Sequence, residues 1–434
     1  MSETILHYIW QHKLFSAHNL KTTDGEPIEV INIGQHNTDA GPDFFNAKVK
    51  IGNTIWAGNV EIHKNSSDWN KHNHQNNAAY NSVILHIVEK ADMEIFRKNG
   101  KKIPQLELAI PEHIAQNYTE LLAEKNWIAC ADKIAEIPQI FIENWKNALL
   151  TERLEQKTSA INALLKENNN HWEECFYIVL ARNFGFGTNS QTFEELAKSL
   201  SLSILAKHKN DLFQLEALLF GQADLLPEKT DNDYTKNLIK EYAFLSAKYD
   251  LQKKLDVSRW KLLRLRPDNF PHVRIVQFAS LIHSSSKLFS KIIEKPEIEY
   301  LRTLFACEVS AYWQTHYTFS GEKSTKRTKK LGKQSVDTIL INTIAPFLFA
   351  YATQKDNADL KNKAVALLEK IPAERNSVIT NWKNLGINCA SAYDSQALLQ
   401  LKKMYCDEKK CIRCRIGHKV LTVKNTPKSL EGGF

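Results

Sequence analysis

No run in this 434-residue sequence approaches the roughly 20 consecutive apolar residues of a membrane helix. The longest apolar stretch, Thr343 to Tyr351, is too short for a span and carries Pro346. Met1 to Trp10 has no basic start, no apolar run and no small-residue cleavage site, so no secretory signal is expected there. The expected location is the cytoplasm, with no membrane partner. Charge of one sign is not in large excess either: a formal +8 is mildly basic and favours a polyanionic partner only weakly. Cysteines number seven, which suits thiols that are reduced or metal-bound. Cys130, Cys175 and Cys307 stand alone in apolar surroundings and are expected to be buried thiols.

Glycine and proline are sparse after residue 112, and that scarcity divides the chain. Ahead of it, Ile5, Leu6, Ile9, Trp10 and Leu14 fall at helical spacing and predict an opening amphipathic helix. The period then changes: Ile28 to Ile33, Phe45 to Ile51 and Ile55 to His63 alternate as strands, with a hairpin turn at Gly52-Asn53. Asp68 to Tyr80 is polar and helix-compatible, and Ser82 to Val88 reads as a buried strand. Met93 to Leu108 predicts a further hairpin turning at Asn99-Gly100. Beyond 112 the apolar positions recur every three to four residues, as in Gln139 to Leu165, Thr192 to His208 and Thr235 to Leu255. The expectation is an α+β domain over 1–112, an all-α domain over 113–400 and a short Cys-rich tail over 401–434.

The densest chemistry lies between Gly41 and His86, and nine of the fifteen histidines precede residue 114. Glu61 and His63, two apart on a strand, project from the same side. A hairpin turning at Gly52-Asn53 pairs positions summing to about 105, which sets Asp43 nearly opposite Ile62 and within one residue of both. Strands about 4.8 Å apart would let the two carboxylates share a divalent cation, and oxygen ligands suit Mg²⁺ or Mn²⁺. Glu61, between Val60 and Ile62, is costly to bury unless paired or metal-bound. His72 and His74, two apart on a polar helix, are expected to face different directions at the surface. His86 ends an apolar strand and is expected either to join the site or to be a hydrogen-bonded core residue.

A Pro-Asp step, a β-turn and a Glu-x-Lys-like Glu61-Ile62-His63 on the next strand resemble the PD-(D/E)XK nuclease superfamily. The order helix, three strands, helix, strand is similar to its restriction-endonuclease-like α-βββ-α-β core. The resemblance implies metal binding by Asp43 and Glu61, with His63 where the family carries lysine, orienting or deprotonating water. The chain as a whole is also similar to a family of uncharacterised bacterial proteins known only as a domain of unknown function. That likeness rests on Gly41-Pro42-Asp43-Phe44, on Gly58 to His63, on Glu216 to Ala223 and on Arg264 to Pro271. Tyr312-Trp313 with His316-Tyr317, and Ile341 to Thr343, add to it.

Further along, Arg264 and Arg266, with Arg274, flank a turn at Asn269-Phe270-Pro271. Lys323, Lys326, Arg327, Lys329, Lys330 and Lys333 form a basic run between Gly321 and Gly332. A structural network and a solvated loop are the expectations for these. Contact with nucleic-acid phosphates through Arg264, Arg266, Lys326, Arg327, Lys329 and Lys330 is the sharper alternative. The tail reads Cys406-x4-Cys411-x2-Cys414-x3-His418. Three cysteines at that spacing predict a structural metal, Zn²⁺ or an iron–sulfur cluster, with Cys389 or His418 as fourth ligand. Together these readings predict a metal-dependent phosphodiesterase acting on DNA or RNA. The alternatives are a nuclease-like scaffold without activity, which binds nucleic acid or protein, and a small-molecule hydrolase whose metal takes histidine ligands.

Overall fold

The opening apolar stripe folds as helix α1 (Glu3–Gln11), burying Ile5, Leu6, Tyr8, Ile9 and Trp10. Trp10 stacks on Phe15, and its indole N–H donates to the Ile33 carbonyl, so the helix is pinned to the sheet edge it covers. The structure is a computed structural model and describes residues 3–251 and 255–423.

Six strands follow: β1 (Ile28–Asn32), β2 (Gln35–His36), β3 (Phe44–Ile51), β4 (Thr54–Asn65), β5 (Val83–Lys90) and β6 (Gln105–Glu107). They form one mixed sheet in the order β1-β3-β4-β5-β6, with β2 alongside β3. The first three main strands are antiparallel, whereas β4, β5 and β6 run parallel. Residues 60–63 of β4 and 83–88 of β5 are buried throughout, as parallel strands covered on both faces require.

The hairpin turns where expected, with Gly52 at a φ of +58°. From Ile51↔Thr54 to Ala47↔Gly58 the paired numbers sum to 105. Beyond Ala47 the register slips, because Asn46 adopts a left-handed φ of +57° and makes a bulge. Phe44 then pairs with Val60, which brings Asp43 level with Glu61 rather than with Ile62. The slip corrects the expected register by one residue.

Between β4 and β5 the expected helix is a single turn, α2 (Asp68–Lys71), followed by 3₁₀ turns at His74–Asn76 and Ala78–Ser82. Asn73 ends the helical path with a φ of +61°. The predicted second hairpin shrinks to a bridge between Phe96 and Lys102. Pro104 has no N–H to continue that pairing; its carbonyl accepts from the His86 amide, and Gln105–Glu107 joins β5 in parallel instead.

The chain separates into two compact units, one comprising Met1–Trp145 with the tail from Lys402, the other Lys146–Leu401. The segment 113–145, expected in the all-α domain, therefore belongs with the sheet. So does the Cys-rich tail. After α3 (Glu112–Ala123), the long helix Gln139–Glu167 carries the chain into the second unit. The second unit is helical among its described residues, with Phe220, Phe278 and Phe347 fully buried. Lys333–Gln354 forms a continuous helix that is long and apolar enough to cross a membrane. Its apolar window is 78% buried inside the fold, as a core helix is. Pro346 does not break it: the helix widens to a π-turn at Leu340–Ile344 just before the residue that lacks a donor.

Candidate metal centre

Two strands and the crossover after them build the site. At the bulge, the Asp43 amide donates to Glu61 Oε2 at 3.1 Å and the Ile62 amide donates to Asp43 Oδ2 at 2.9 Å. This reciprocal pair fixes both acids beside each other. Glu61 then has its second oxygen free to face the histidines. Its Oε1 lies 3.6 Å from His63 Nε2 and 3.3 Å from His74 Nε2.

His63, two residues along β4, reaches its neighbours through both ring nitrogens. Its Nδ1 meets His86 Nε2 at 2.8 Å, since Glu61 and His86 pair across the parallel strands and place the two rings adjacent. Its Nε2 meets His72 Nδ1 at 3.1 Å. The left-handed Asn73 turns the chain between His72 and His74, so the two converge instead of diverging as their spacing predicted. Ligand nitrogens of His63, His72 and His74 all lie within 4.8 Å of one another. Trp69, wholly buried, sets its edge against His74, His86 and Tyr80, and Tyr80 stacks on His74 at 3.8 Å. Asp68 accepts from the Asn65 amide and ties the start of α2 to the end of β4.

The electrostatics follow from burial. Removal from water pushes the Asp43 and Glu61 carboxyls up, and the like charge of Asp43 adds to the rise at Glu61. Burial, then the neighbouring histidines, pushes His63 down to about 2. Burial pushes His86 down to about 3 and also lowers His74 and His7. The imidazoles are therefore neutral with lone pairs to donate. Each neutral imidazole has one N–H and one lone pair, so His63 can hydrogen-bond to His86 and to His72 in directions set by the tautomers, and a bound cation takes the place of the proton between a pair of such nitrogens. Two nitrogens on one ion at ~2.0–2.1 Å stand roughly 2.9–3.3 Å apart, and the His63–His72 separation falls in that range. His74 Nε2 is buried without a hydrogen-bond partner, which leaves it available. Imidazole donors shift the fitting ion from Mg²⁺ towards Zn²⁺ or Mn²⁺. His72 is exposed, so the site opens to solvent.

Of the expected residues, Asp43, Glu61, His63, His72, His74 and His86 all come together. Their division of labour differs from the expectation: the acids brace each other's backbone, and the close ligand group is made of histidines. His63 has no room for a charged lysine-like role. His7, on α1, was not anticipated; its Nε2 lies 3.4 Å from Asp43 Oδ2. Its position among the apolar residues of the α1 stripe was the available signal.

A groove of about 630 Å³ is lined by Arg413, Arg415, Lys419, His12, His36 and His418 among others. His36 packs edge-on to His7 at 5.9 Å, which connects the groove to Asp43. In the helical unit, Arg264 and Arg266 are exposed, and so is Lys326. Arg327, Lys329 and Lys330 line a common groove with Arg274. Two of these cations have structural work. Lys329 is buried, donates to the His316 carbonyl and sits over the Tyr317 ring at 3.5 Å. Lys330 pairs with Glu308 at 2.7 Å.

The two residues expected to offer a fourth ligand to the cysteine tail have these surroundings. His418 Nδ1 is engaged by the Tyr8 hydroxyl at 2.8 Å. Cys389 belongs to the helical unit, where its charged neighbours are Asp394, Lys383, Lys146 and Glu374. Cys130, expected to be a buried thiol in apolar surroundings, is half-buried and packs against the apolar cluster that includes Cys411.

A mixed sheet carrying a histidine–carboxylate centre, joined to a large helical unit, is thus the class of protein. The chain belongs to the family of proteins of unknown function DUF2851, whose model matches residues 3–377. No curated protein and no solved structure matches it.

Proposed function

We propose that the sheet unit is a divalent-metal-dependent phosphodiesterase acting on nucleic acid, its ion held by His63, His72, His74 and Glu61. The observation that carries this is the convergence of three imidazoles and a carboxyl oxygen at separations suited to one ion. A divalent ion at such a site supplies Lewis-acid polarisation of a phosphoryl oxygen and neutralises its charge. Glu61 holds the Asp43 amide with one oxygen and offers the other to the site. Asp43, braced by the Ile62 amide and facing His7, is positioned to accept a proton from an attacking water. The exposed side at His72 admits the substrate. Support for a phosphodiester comes from the groove of Arg413, Arg415 and Lys419, whose charge and fork geometry suit a run of phosphates. The similarity to the PD-(D/E)XK core, with α1, the antiparallel strands, α2 and β5 in the same order, points the same way. It makes Mg²⁺ the ion to compare with Mn²⁺ and Zn²⁺, and a cytoplasmic setting accords with a nucleic-acid substrate.

One observation favours a second reading. Both ring nitrogens of His63 are engaged by other histidines, so no cation stands where the nuclease family has its lysine. A nuclease-like scaffold that grips DNA or RNA without cutting it would tolerate that. Purified protein incubated with single- and double-stranded DNA and RNA, and with a chromogenic phosphodiester, separates the readings. Cleavage that requires added Mn²⁺ or Zn²⁺ and vanishes in Glu61→Ala and His74→Ala supports the enzyme. Tight, salt-sensitive binding without turnover selects the scaffold. Equal cleavage by wild type and variants marks a contaminant.

A further inference from the structure

The helical unit holds a buried guanidinium bonded only to neutral groups. Arg274, on the helix Pro271–Ser284, is 6% exposed. Its Nη1 donates to Gln277 Oε1 at 3.0 Å, and its Nη2 donates to Asn269 Oδ1 at 2.5 Å and to Ser335 Oγ at 3.3 Å. Its Cζ lies over the Phe186 ring, 4.1 Å from the centroid. Nε is buried without a hydrogen-bond partner. Five N–H donors and a full charge thus meet two amide oxygens, a hydroxyl and a ring, none of which carries a negative charge. Burying a cation in this way is costly unless an anion completes the site.

The groove beside it is cationic. About 600 Å³ in volume, it is lined by Arg274, Arg327, Lys329, Lys330 and Ser335, with Asp268 as its acidic member. Lys329, 8% exposed, is held on three sides. Its Nζ donates to the His316 carbonyl at 2.6 Å and lies over the Tyr317 ring, and its own carbonyl accepts from Gln277 Nε2 at 2.8 Å. Gln277 therefore joins the two buried cations, its oxygen taken by Arg274 and its nitrogen by the Lys329 backbone. That backbone sits at a left-handed φ of +43°, uncommon for a lysine and kept only where neighbours impose it. Lys330 already pairs with Glu308 at 2.7 Å. Setting one further cation against Asp268 leaves two positive charges fixed around the groove.

From this arrangement we infer that the groove binds a terminal phosphate group, free or on a monoester, with Arg274, Arg327, Lys329 and the Ser335 hydroxyl as its donors. Such a group carries about −1.5 to −2 near neutral pH, which matches the two charges left over. The guanidinium plane suits contact with two phosphate oxygens at once. Depth decides between an end and a strand. An internal phosphodiester carries one charge and is substituted on both sides, so it suits cations that stand out in solvent. A terminal phosphate presents three oxygens on a single stem and can reach a side chain that is 6% exposed. Every residue involved belongs to the helical unit, so the site stands independently of the phosphodiesterase reading.

The test is equilibrium dialysis of the full chain, with a chelator present and chloride fixed, against radiolabelled inorganic phosphate and a nucleoside 5′-monophosphate. One saturable site per chain is expected, with the matching nucleoside failing to compete. Arg274→Gln should weaken binding by about tenfold or more, and Arg327→Gln by a smaller factor. Arg264→Gln, which removes an exposed cation outside the groove, should leave it unchanged. Should Arg274→Gln fail to fold, Arg327→Gln and Ser335→Ala carry the comparison. Oligonucleotides with and without a 5′-phosphate separate the sources. A phosphorylated end that competes better than the monophosphate identifies a nucleic-acid end, and one that competes worse identifies a small phosphate ester; both uphold the site. No saturable binding of either probe overturns the inference. So does binding kept in full by the groove variants, or equal weakening in Arg264→Gln. Displacement by the unphosphorylated oligonucleotide as effective as by the phosphorylated one overturns it too.

Discussion

The two units bury polar side chains in opposite ways. In the helical unit a cation finds fixed oxygens: Lys146, 1% exposed, donates to the Asn388 carbonyl and to Asp394 at 2.7 and 3.1 Å. Arg153 donates to Gln396 and Gln400, and Lys157 to Asn342 and Gln396. Such networks are complete in themselves and hold helices together. In the sheet unit His63, His74 and Glu61 are also buried, but they face one another and further histidines, with no lysine or arginine bonded to them among the described residues. Closed networks speak for architecture; an open one of this kind speaks for a ligand that the protein receives.

That contrast breaks or sharpens under substitution. The largest effect is expected at the open network. Replacing His63 or His74 by alanine should reduce metal-dependent hydrolysis by more than the ~100-fold typical of losing a residue merely supporting a metal ligand. The turnover of a chromogenic phosphodiester measures it. Next comes the closed network: Lys146→Ala leaves Asp394 without its ion pair and should destabilise by about 3–5 kcal/mol, read by urea denaturation, with metal binding unchanged. Third, saturating Mn²⁺ or Zn²⁺ at ~100 times Kd should stabilise the wild type by about 2.7 kcal/mol and leave His63→Ala unmoved. A shift retained in His63→Ala would put the ion elsewhere.

Acid should separate the units as well. His63 and His86 have folded values near 2 and 3, far below the ordinary 6.5. Their neutral burial therefore supports the fold fully above pH 6.5, and that support is lost as pH falls from 6.5 towards 3. Chelator-treated wild type should lose thermal stability across this window more steeply than His86→Phe. The smallest effect is expected at the bulge. Asn46→Ala places an ordinary side chain at a left-handed φ and should cost about 1–2 kcal/mol, measured by thermal melting.

Much of the sheet unit was legible because strands advertise themselves locally. The alternation of Ile55 to His63 and the Gly52-Asn53 turn specify a hairpin within a dozen residues, and Glu61 and His63 share a face by the pleat alone. The one-residue slip was not legible, since it depends on Asn46 adopting a conformation that sequence spacing does not encode. His72 and His74 were read as divergent for a similar reason. Helical geometry separates them, and a single left-handed residue, Asn73, undoes that separation. The packing of Cys130 was hidden by distance along the chain: Cys411, in the cluster it joins, lies more than 280 positions away, and only tertiary packing brings them into one cluster. Pro346 was counted against a long apolar span, but a π-turn absorbs the missing donor and one long helix runs through it.

A crystal of the full chain soaked in Mn²⁺, with anomalous scattering recorded, addresses the metal centre most directly. A peak within coordination distance of His63, His72, His74 and Glu61 is the expected result. A protein that binds no ion there while taking Mn²⁺ elsewhere would contradict it.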